Sequence, residues 1–302
     1  TANTYNIAYN YNGGAAGSSA PSSGTYGSNV TISNPTEPSY IVTLNGNSQG
    51  ATYTGSSLTS TASFSGWTAN SNLNTDTAQY YSTNTWNDWS NASTKQTATT
   101  YRNLRSSSGT VTLTANWGTY SAVTLPIITK TGYTCYWSKD KIIFNYDSGE
   151  SFTPTGNMTL YAVCAKNIYS IKYQLNGGTA GTNANTTANY SETLKVSNPT
   201  RTGYTFAGWT ATGLNTNTAK YLNSSSVYTS WNGTTKVTST SFMNLQSANG
   251  ATVTMTANWT RNFTCSTAGK TVSYAGLNWT VLSNSSGTCE LALNQLSKSK
   301  GS

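Results

Sequence analysis

The chain lacks histidine altogether and has only eight acidic residues among 302. Without an imidazole base, neither Ser-His-Asp nor Cys-His nucleophilic catalysis can be assembled. General acid–base hydrolysis needs paired carboxylates. Apart from Asp147 and Glu150, which share one loop and read as a solvated turn, the acids are scattered. We therefore predict no catalytic residue, no cofactor and no metal. The eight acids are Glu37, Asp76, Asp88, Asp140, Asp147, Glu150, Glu192 and Glu290.

Cysteine is scarce, and none of the four cysteines forms a Cys-x-x-Cys pair. Zinc sites and redox motifs therefore lack their usual parts. The simplest arrangement is two local disulfides, Cys135–Cys164 and Cys265–Cys289, although four cysteines permit three connectivities and could also be buried free thiols. Because disulfides persist outside the cytosol, the bridged interpretation predicts a secreted protein.

Charge and long apolar runs are scarce too. Charged residues make up 8% of the chain, against roughly 25% in ordinary domains. No run of 18 apolar residues exists, so we expect no membrane insertion within this segment. The net charge of +8 comes from 16 Lys and Arg against eight acids. These bases do not cluster, which argues against a nucleic-acid partner and leaves an acidic glycan or wall polymer as a loose electrostatic one.

Thr, Ser, Asn and Gly fill the sequence, together with 21 Tyr and 9 Trp. Thr, Tyr and Trp suit a pleated, half-buried surface, so this composition favours β structure. Tyr5, Ile7 and Tyr9 alternate with Asn6 and Ala8, which is the pattern of a half-buried strand. Since the chain opens without an apolar leader, we expect a mature or excised segment.

A long repeat accounts for most of the chain. Segment 5–14 recurs at 169–178, and both copies end in Asn-Gly-Gly. The first copy holds about 22 extra residues within 37–63. A short helix is expected at 98–106 and at 239–247, where apolar residues lie three apart. Further landmarks occur in the same order in both copies: 33–36 with 197–200, 64–67 with 206–209, 73–80 with 214–221, and 111–117 with 253–259.

A shorter segment that resembles both copies lies between them. It keeps Trp137 and a closing strand that ends at Cys164, but lacks an opening strand and its Gly-Gly turn. Cys135 stands where the second copy has Phe206, and Cys164 where it has Trp259. A cross-link here would stabilise a module with little core by about 3 kcal/mol. The tail from about 260 onward matches neither pattern and predicts two or three strands of another unit.

These landmarks resemble a known family. The Tyr-x-Ile-x-Tyr strand before Asn-Gly-Gly, the string Pro-Thr-Arg-Thr-Gly-Tyr-Thr-Phe-Ala-Gly-Trp at 199–209, and the closing Thr-x-Thr-Ala-Asn-Trp are similar to the Listeria–Bacteroides repeat, the InlB B-repeat-like family of bacterial surface proteins. The resemblance covers about 5–259. It implies compact β-grasp-like modules on secreted or wall-attached bacterial proteins, with stalk, adhesion or ligand-presenting roles.

We therefore predict a mainly β chain of tandem small β-grasp-like modules, with at most short helices, arranged in a row. Its divisions are a first long module (1–117), a short disulfide-closed module (118–166), a second long module (167–260), a C-terminal β-rich piece (261–296) and a linker or tag (297–302). The function predicted is that of a non-catalytic, extracellular stalk or spacer and adhesive segment at the bacterial cell surface.

The sequence also allows two alternative functions and one covalent cross-link. Aromatic side chains can stack on sugars, which predicts glycan or host-protein binding through Trp86, Trp89, Tyr81 and Trp231, unless these residues pack the loops. A missing first strand would leave a sheet edge on the short module that could accept a neighbour's strand, giving self-association into a filament. Glu192 beside Lys172 or Lys195 could support an isopeptide bond.

Overall fold

The computed structural model describes residues 2–262, 266–274, 276–285 and 288–294. These residues form strands and turns and no helix, as a mainly β chain requires. The chain divides into two compact units. The first consists of Thr1–Ile128 and Tyr136–Val163, and the second of Thr129–Cys135 and Cys164–Ser302. The module boundaries and the likeness to a β-grasp stay predictions.

The first long module is built from two sheets around one core. Its first and closing strands run parallel, with Ile7 opposite Val111, and their alternate side chains enter a cluster with the buried Trp67, Trp89 and Tyr101. The strands are β1 (Thr4–Asn10), β2 (Ser23–Thr25), β3 (Asn29–Thr31), β4 (Ser39–Asn45), β5 (Ser57–Ala69), β6 (Gln79–Ser82), β7 (Thr85–Asp88), β8 (Thr100–Arg102) and β9 (Thr110–Tyr120). One four-stranded sheet has the order β3-β8-β6-β7.

The second long module repeats this plan. Its first and closing strands are parallel, with Ile171 opposite Val253, and Trp209, Trp231 and Phe242 lie in its core. Its strands are β15 (Ile168–Gln174), β16 (Thr187–Asn189), β17 (Thr193–Lys195), β18 (Tyr204–Thr212), β19 (Lys220–Leu222), β20 (Tyr228–Ser230), β21 (Ser241–Met243) and β22 (Thr252–Arg261), in sheets of order β16-β15-β22-β18 and β17-β21-β19-β20.

The Asn-Gly-Gly turn and the closing Trp occur together for a steric reason. A Cβ on Gly14 would lie 2.4 Å from Cζ2 of Trp117, and one on Gly178 would lie 2.4 Å from Cζ2 of Trp259. Each indole lies against a glycine that has no side chain to displace it. The indole nitrogen of Trp117 also donates to the carbonyl of Tyr11 at 3.1 Å. The turn and the end of the closing strand therefore form one packed unit.

The short module does have an opening strand, contrary to the sequence prediction. Strand β4, from within the extra residues of the first long module, runs parallel to β14, with Val42 opposite Met158 and Leu44 opposite Leu160. It thereby occupies the edge that we expected to be free. The remaining strands are β10 (Val123–Thr124), β11 (Tyr133–Ser138), β12 (Tyr146–Asp147), β13 (Ser151–Phe152) and β14 (Met158–Lys166), and the continuous sheet has the order β12-β11-β14-β4-β5-β9-β1-β2.

The register identifies β4 as the counterpart of the first strand in the long modules. The turn after β4 is also the same, because Asn47 has φ 52° and its amide donates to Oδ1 of Asn45 at 2.8 Å. In the first long module Asn12, with φ 48°, donates to Asn10 in the same way. Val42 and Leu44 are buried. The module predicted at 118–166 is thus completed by a strand from far upstream.

The cysteine substitutions fall where an aromatic pair lies in the long modules. Phe206 and Trp259 are register partners with ring centroids 5.6 Å apart. In the short module Cys135 and Cys164 are joined by a disulfide, and their Cα atoms are 4.1 Å apart. A covalent bond has replaced a ring contact between two neighbouring strands.

The prediction of short helices at 98–106 and 239–247 was wrong. These segments form the short strands β8 and β21 instead. Tyr101 and Leu104 are both buried, as their spacing suggested. Asn103, with φ 56°, adopts the left-handed conformation between them, and Asn244, with φ 55°, does so in the second copy. A strand followed by a left-handed turn therefore gives the same one-sided burial as a helical turn.

The C-terminal piece contains the antiparallel strands β23 (Thr271–Tyr274), β24 (Leu277–Ser285) and β25 (Thr288–Leu293). This agrees with the two or three strands expected there. Cys265 lies outside the described residues, so its bridge to Cys289 stays a prediction. The proposed linker or tag, 297–302, also lies outside them.

Candidate functional site

The predicted aromatic site divides into buried and accessible residues. Trp89 and Trp231 are each only 1% exposed. The indole nitrogen of Trp89 donates to the carbonyl of Thr94, and that of Trp231 to the carbonyl of Thr235. Both rings pack the cores of the long modules, so neither can stack on a glycan as predicted. Tyr81 and Trp86 remain as accessible candidates.

Tyr81 and Trp86 face each other across the hairpin of β6 and β7. They are register partners, and their ring centroids are 5.3 Å apart with planes inclined by 59°. Because side chains alternate along a strand, both point away from the core face that carries the buried Tyr101. Tyr81 is exposed and Trp86 is half-buried. The hairpin therefore presents two rings on its outer face.

Polar side chains continue this outer face. The guanidinium carbon of Arg102 lies 4.0 Å from the centroid of the Trp86 ring, and Arg102 Nε donates to Gln79 Oε1 at 2.8 Å. The amide nitrogen of Gln79 in turn donates to Asp88 Oδ1 at 2.7 Å. Tyr81, Trp86, Arg102, Gln79 and Asp88 form what we call the aromatic–polar face. Hydrogen bonds and a cation–π contact connect these side chains to one another.

The second long module provides an internal comparison for this face. At the same register positions it has Lys220 for Gln79, Leu222 for Tyr81, Tyr228 for Trp86, Ser230 for Asp88 and Met243 for Arg102. The buried residues beneath are retained, since Trp231 and Phe242 occupy the places of Trp89 and Tyr101. Folding therefore does not require the aromatic–polar face.

Sequence reasoning missed Gln79, Asp88 and Arg102 as members of this face. The segment around Trp86 was not predicted as a strand, although it forms β7. Two signals were available. Gln79 and Tyr81 are two positions apart, and so are Trp86 and Asp88. In a strand this spacing places both residues of a pair on the same side.

Asp147, Glu150 and Glu192 make local contacts. Glu150 Oε2 accepts the amide of Asp147 at 2.7 Å, which makes this pair the solvated turn that we predicted. Glu192 pairs with Lys166 at 2.8 Å, while Lys195 Nζ donates to Ser241 Oγ. This pairing gives no support to the isopeptide arrangement with Lys172 or Lys195. Within the described ranges, no three His, Cys, Asp or Glu residues come together as metal ligands.

The joint before the second long module is a single residue, Asn167. Strands β14 and β15 are separated by Asn167 alone, and Asn167 is buried. Its side-chain nitrogen donates to the carbonyl of Ser247 at 2.7 Å, and its side-chain oxygen accepts from Thr134 Oγ1 at 2.6 Å. Its backbone bonds Gly132 and Tyr190. Asn167 is thus bonded through its backbone and its side chain to residues of its own compact unit.

Comparison with known families agrees with the sequence resemblance. Residues 100–163 and 169–247 match the family model of the Listeria-Bacteroides repeat domain. Repeats of this family are generally non-catalytic surface modules, typical of bacterial extracellular proteins. No curated protein and no solved structure matches the chain. In the described part of the chain, nothing helical has the length and apolarity that a membrane crossing requires.

Proposed function

We propose that this chain, which carries Listeria-Bacteroides repeat domains, is a non-catalytic segment of a secreted, cell-surface protein that works as a spacer and adhesive module. The single observation that carries the spacer role is the joint at Asn167. A one-residue connection whose backbone and side-chain groups are bonded within its own compact unit is held in place more firmly than a Gly- or Ser-rich linker would be.

We expect Asn167→Ala to loosen this joint. The substitution leaves the carbonyl of Ser247 and the hydroxyl of Thr134 without the side-chain partners they have now, at a cost of about 1–3 kcal/mol. Because Lys166 precedes Asn167, trypsin reports the opening directly. Cleavage after Lys166 should accelerate about tenfold or more, followed by mass spectrometry of the fragments.

Cleavage after Lys172, within β15, is the internal control and should stay as slow as in the wild type. If cleavage after Lys166 is already rapid in the wild-type chain, or does not change in the variant, the rigid-joint proposal fails. Asn167→Asp keeps an oxygen facing Thr134 but loses the donor to Ser247. Its rate of cleavage after Lys166 should lie between those of the wild type and Asn167→Ala.

The aromatic–polar face supports carbohydrate as the adhesive partner. A sugar ring offers C–H groups to an aromatic face and hydroxyls that both donate and accept hydrogen bonds. Tyr81 and Trp86 supply the first kind of contact. Arg102, Gln79 and Asp88 provide donors and acceptors beside them. Their replacement in the second long module indicates that this face is not needed for folding.

We expect Trp86→Ala to weaken glycan retention at least tenfold, because it removes the larger ring and the support of the Arg102 guanidinium. The measurement is binding to a glycan array and to isolated bacterial wall polysaccharide. Tyr228→Ala, at the matching position of the second long module, is the control and should bind as the wild type does. Equal binding by Trp86→Ala and the wild type, or no retention of either, would refute carbohydrate binding at this face.

A further inference from the structure

The short module carries an exposed apolar loop that the long modules do not have. Between β11 and β12, Ile142 is 77% exposed and Ile143 is 61% exposed, and the exposed Phe144 follows them. After the corresponding Trp67 the first long module continues instead with Thr68-Ala69-Asn70-Ser71-Asn72 and then the buried Leu73. We call residues 142–144 the apolar tip.

The apolar tip has a fixed shape. Oδ1 of Asp140 accepts the amides of Ile142 at 2.9 Å and Ile143 at 2.8 Å. The hydroxyl of Tyr136 donates to the carbonyl of Ile142 at 2.9 Å, and its ring lies 5.5 Å from that of Phe144. The amide of Ile143, followed by that of Ile142, lowers the pKa of the Asp140 carboxyl. The side chains are thus held outward at low conformational cost.

These hydrogen bonds also suit the tip to an apolar surrounding. A free amide or carbonyl costs several kcal/mol when it leaves water. At the tip the two amides and the Ile142 carbonyl already have partners within the loop. Burying the isoleucines therefore does not strip those three backbone groups of their hydrogen bonds.

Two lysines, Lys139 and Lys141, precede the tip in its loop, with Asp140 between them. The Nζ of Lys141 lies 4.7 Å from the ring centroid of Tyr161, and that of Lys139 lies 5.3 Å from the ring centroid of Tyr146. Both lysines are exposed, and the whole chain carries a net charge of +8. Exposed apolar side chains with exposed lysines in the same loop complement a lipid surface, where anionic headgroups lie above the acyl chains. A protein partner would instead have to offer a groove.

We infer that the apolar tip inserts shallowly into a lipid bilayer that carries anionic headgroups, with Lys139 and Lys141 at the headgroup level. The sequence-based expectation of no membrane insertion rested on the lack of a long apolar run. That lack argues against a spanning segment, but a peripheral contact needs only a few apolar residues at a fixed tip. The inference does not depend on carbohydrate binding or on the rigid joint.

The test is sedimentation of the full chain with vesicles of phosphatidylcholine alone and of phosphatidylcholine mixed with phosphatidylglycerol. We expect the chain to bind the mixed vesicles. Ile142→Asn with Ile143→Asn should lower the partition coefficient about tenfold or more. Lys139→Gln and Lys141→Gln should each lower it about fivefold and reduce its salt dependence.

Val227→Asn, which changes an exposed apolar residue in the β19–β20 hairpin of the second long module, is the matched control and should bind as the wild type does. Thermal unfolding of the double isoleucine variant should be unchanged, since both side chains are exposed. Wild-type chain that stays in solution, equal binding to both vesicle types, or undiminished binding by the double variant would each overturn the inference. So would self-association that the double variant abolishes, which would make the tip an interface between copies.

Discussion

Replacing residues 37–61 with Arg-Thr-Gly, the connection found at 201–203, is expected to unfold the short module and leave the first long module folded. This exchange removes β4, which both fills the core of the short module and pairs with β14. The loss comprises two buried side chains at about 1.5–3 kcal/mol each and the hydrogen bonds of the ladder at about 1 kcal/mol each. A module of this size cannot absorb several kcal/mol.

The first long module should survive because its own part of β5 begins at Ala62, which pairs with Tyr120 of β9. Hydrogen exchange followed by mass spectrometry separates the two outcomes. Amides of Met158–Val163 should exchange rapidly, and amides of Val111–Ala115 should keep their wild-type protection. Equal protection of β14 in the wild type and in the exchanged chain would contradict the assignment of β4 to the short module.

A milder pair of variants makes the same comparison within one strand. Leu44 is buried and Ile41 is exposed on the opposite face of β4. Leu44→Asp buries a carboxylate without a partner and should expose β14 to exchange, whereas Ile41→Asp should not. This pair distinguishes the loss of packing from any general effect of added negative charge.

The position of β4 also changes the meaning of the filament alternative. The edge of the short module is not vacant, so a neighbour cannot simply add a strand to it. Polymerisation at this edge would require β4 of one copy to take the place of β4 in another. The filament alternative therefore becomes a proposal of exchange, and the Leu44→Asp variant would weaken it together with the fold.

The sequence predicted the repeats, the cysteine substitutions and the β content, because these depend on residues that recur in chain order. It could not assign β4, although two signals were present. Tyr40, Val42 and Leu44 alternate as Tyr5, Ile7 and Tyr9 do, and Asn47 keeps the turn. Reading along the chain attached these residues to the first copy as an insertion. Only strand pairing shows that a segment more than a hundred residues upstream completes the short module.

The candidate site was predicted only in part, for a related reason. Tyr81 and Trp86 are accessible, whereas Trp89 and Trp231, which were predicted together with them, are buried. Burial of an aromatic residue in these modules depends on which face of the strand its side chain lies on. Trp86 and Trp89 differ by three positions and point to different surroundings. Arg102 belongs to the site because β8 lies beside β6 in the sheet. The sequence alone does not show which strands are neighbours.

Removal of the Cys135–Cys164 bridge is the second change expected to have a large effect. The bridge closes a loop with a sequence separation of 29, and loss of a cross-link over such a loop costs about 3 kcal/mol. We expect Cys135→Ser with Cys164→Ser to lower the free energy of unfolding of the short module by that amount, and so to lower its unfolding temperature. Hydrogen exchange of the amides in β11 and β14 should become faster. Substitution is preferred to reduction, because a reductant would also act on any bridge elsewhere in the chain.

The long modules supply both the control and the rescue for this experiment. Phe206 and Trp259 hold the corresponding positions by ring contact, so protection of β18 and β22 should not change when the cysteines are replaced. Cys135→Phe with Cys164→Trp would restore an aromatic pair. The rescue should be partial at best, because Gln49 stands where Gly14 and Gly178 leave room for the indole. Adding Gln49→Gly to that pair should therefore raise stability further, whereas the serine variant should gain nothing from it. If the serine variant unfolds at the wild-type temperature, the bridge does not hold the short module together, and the strand supplied by β4 alone would have to do so.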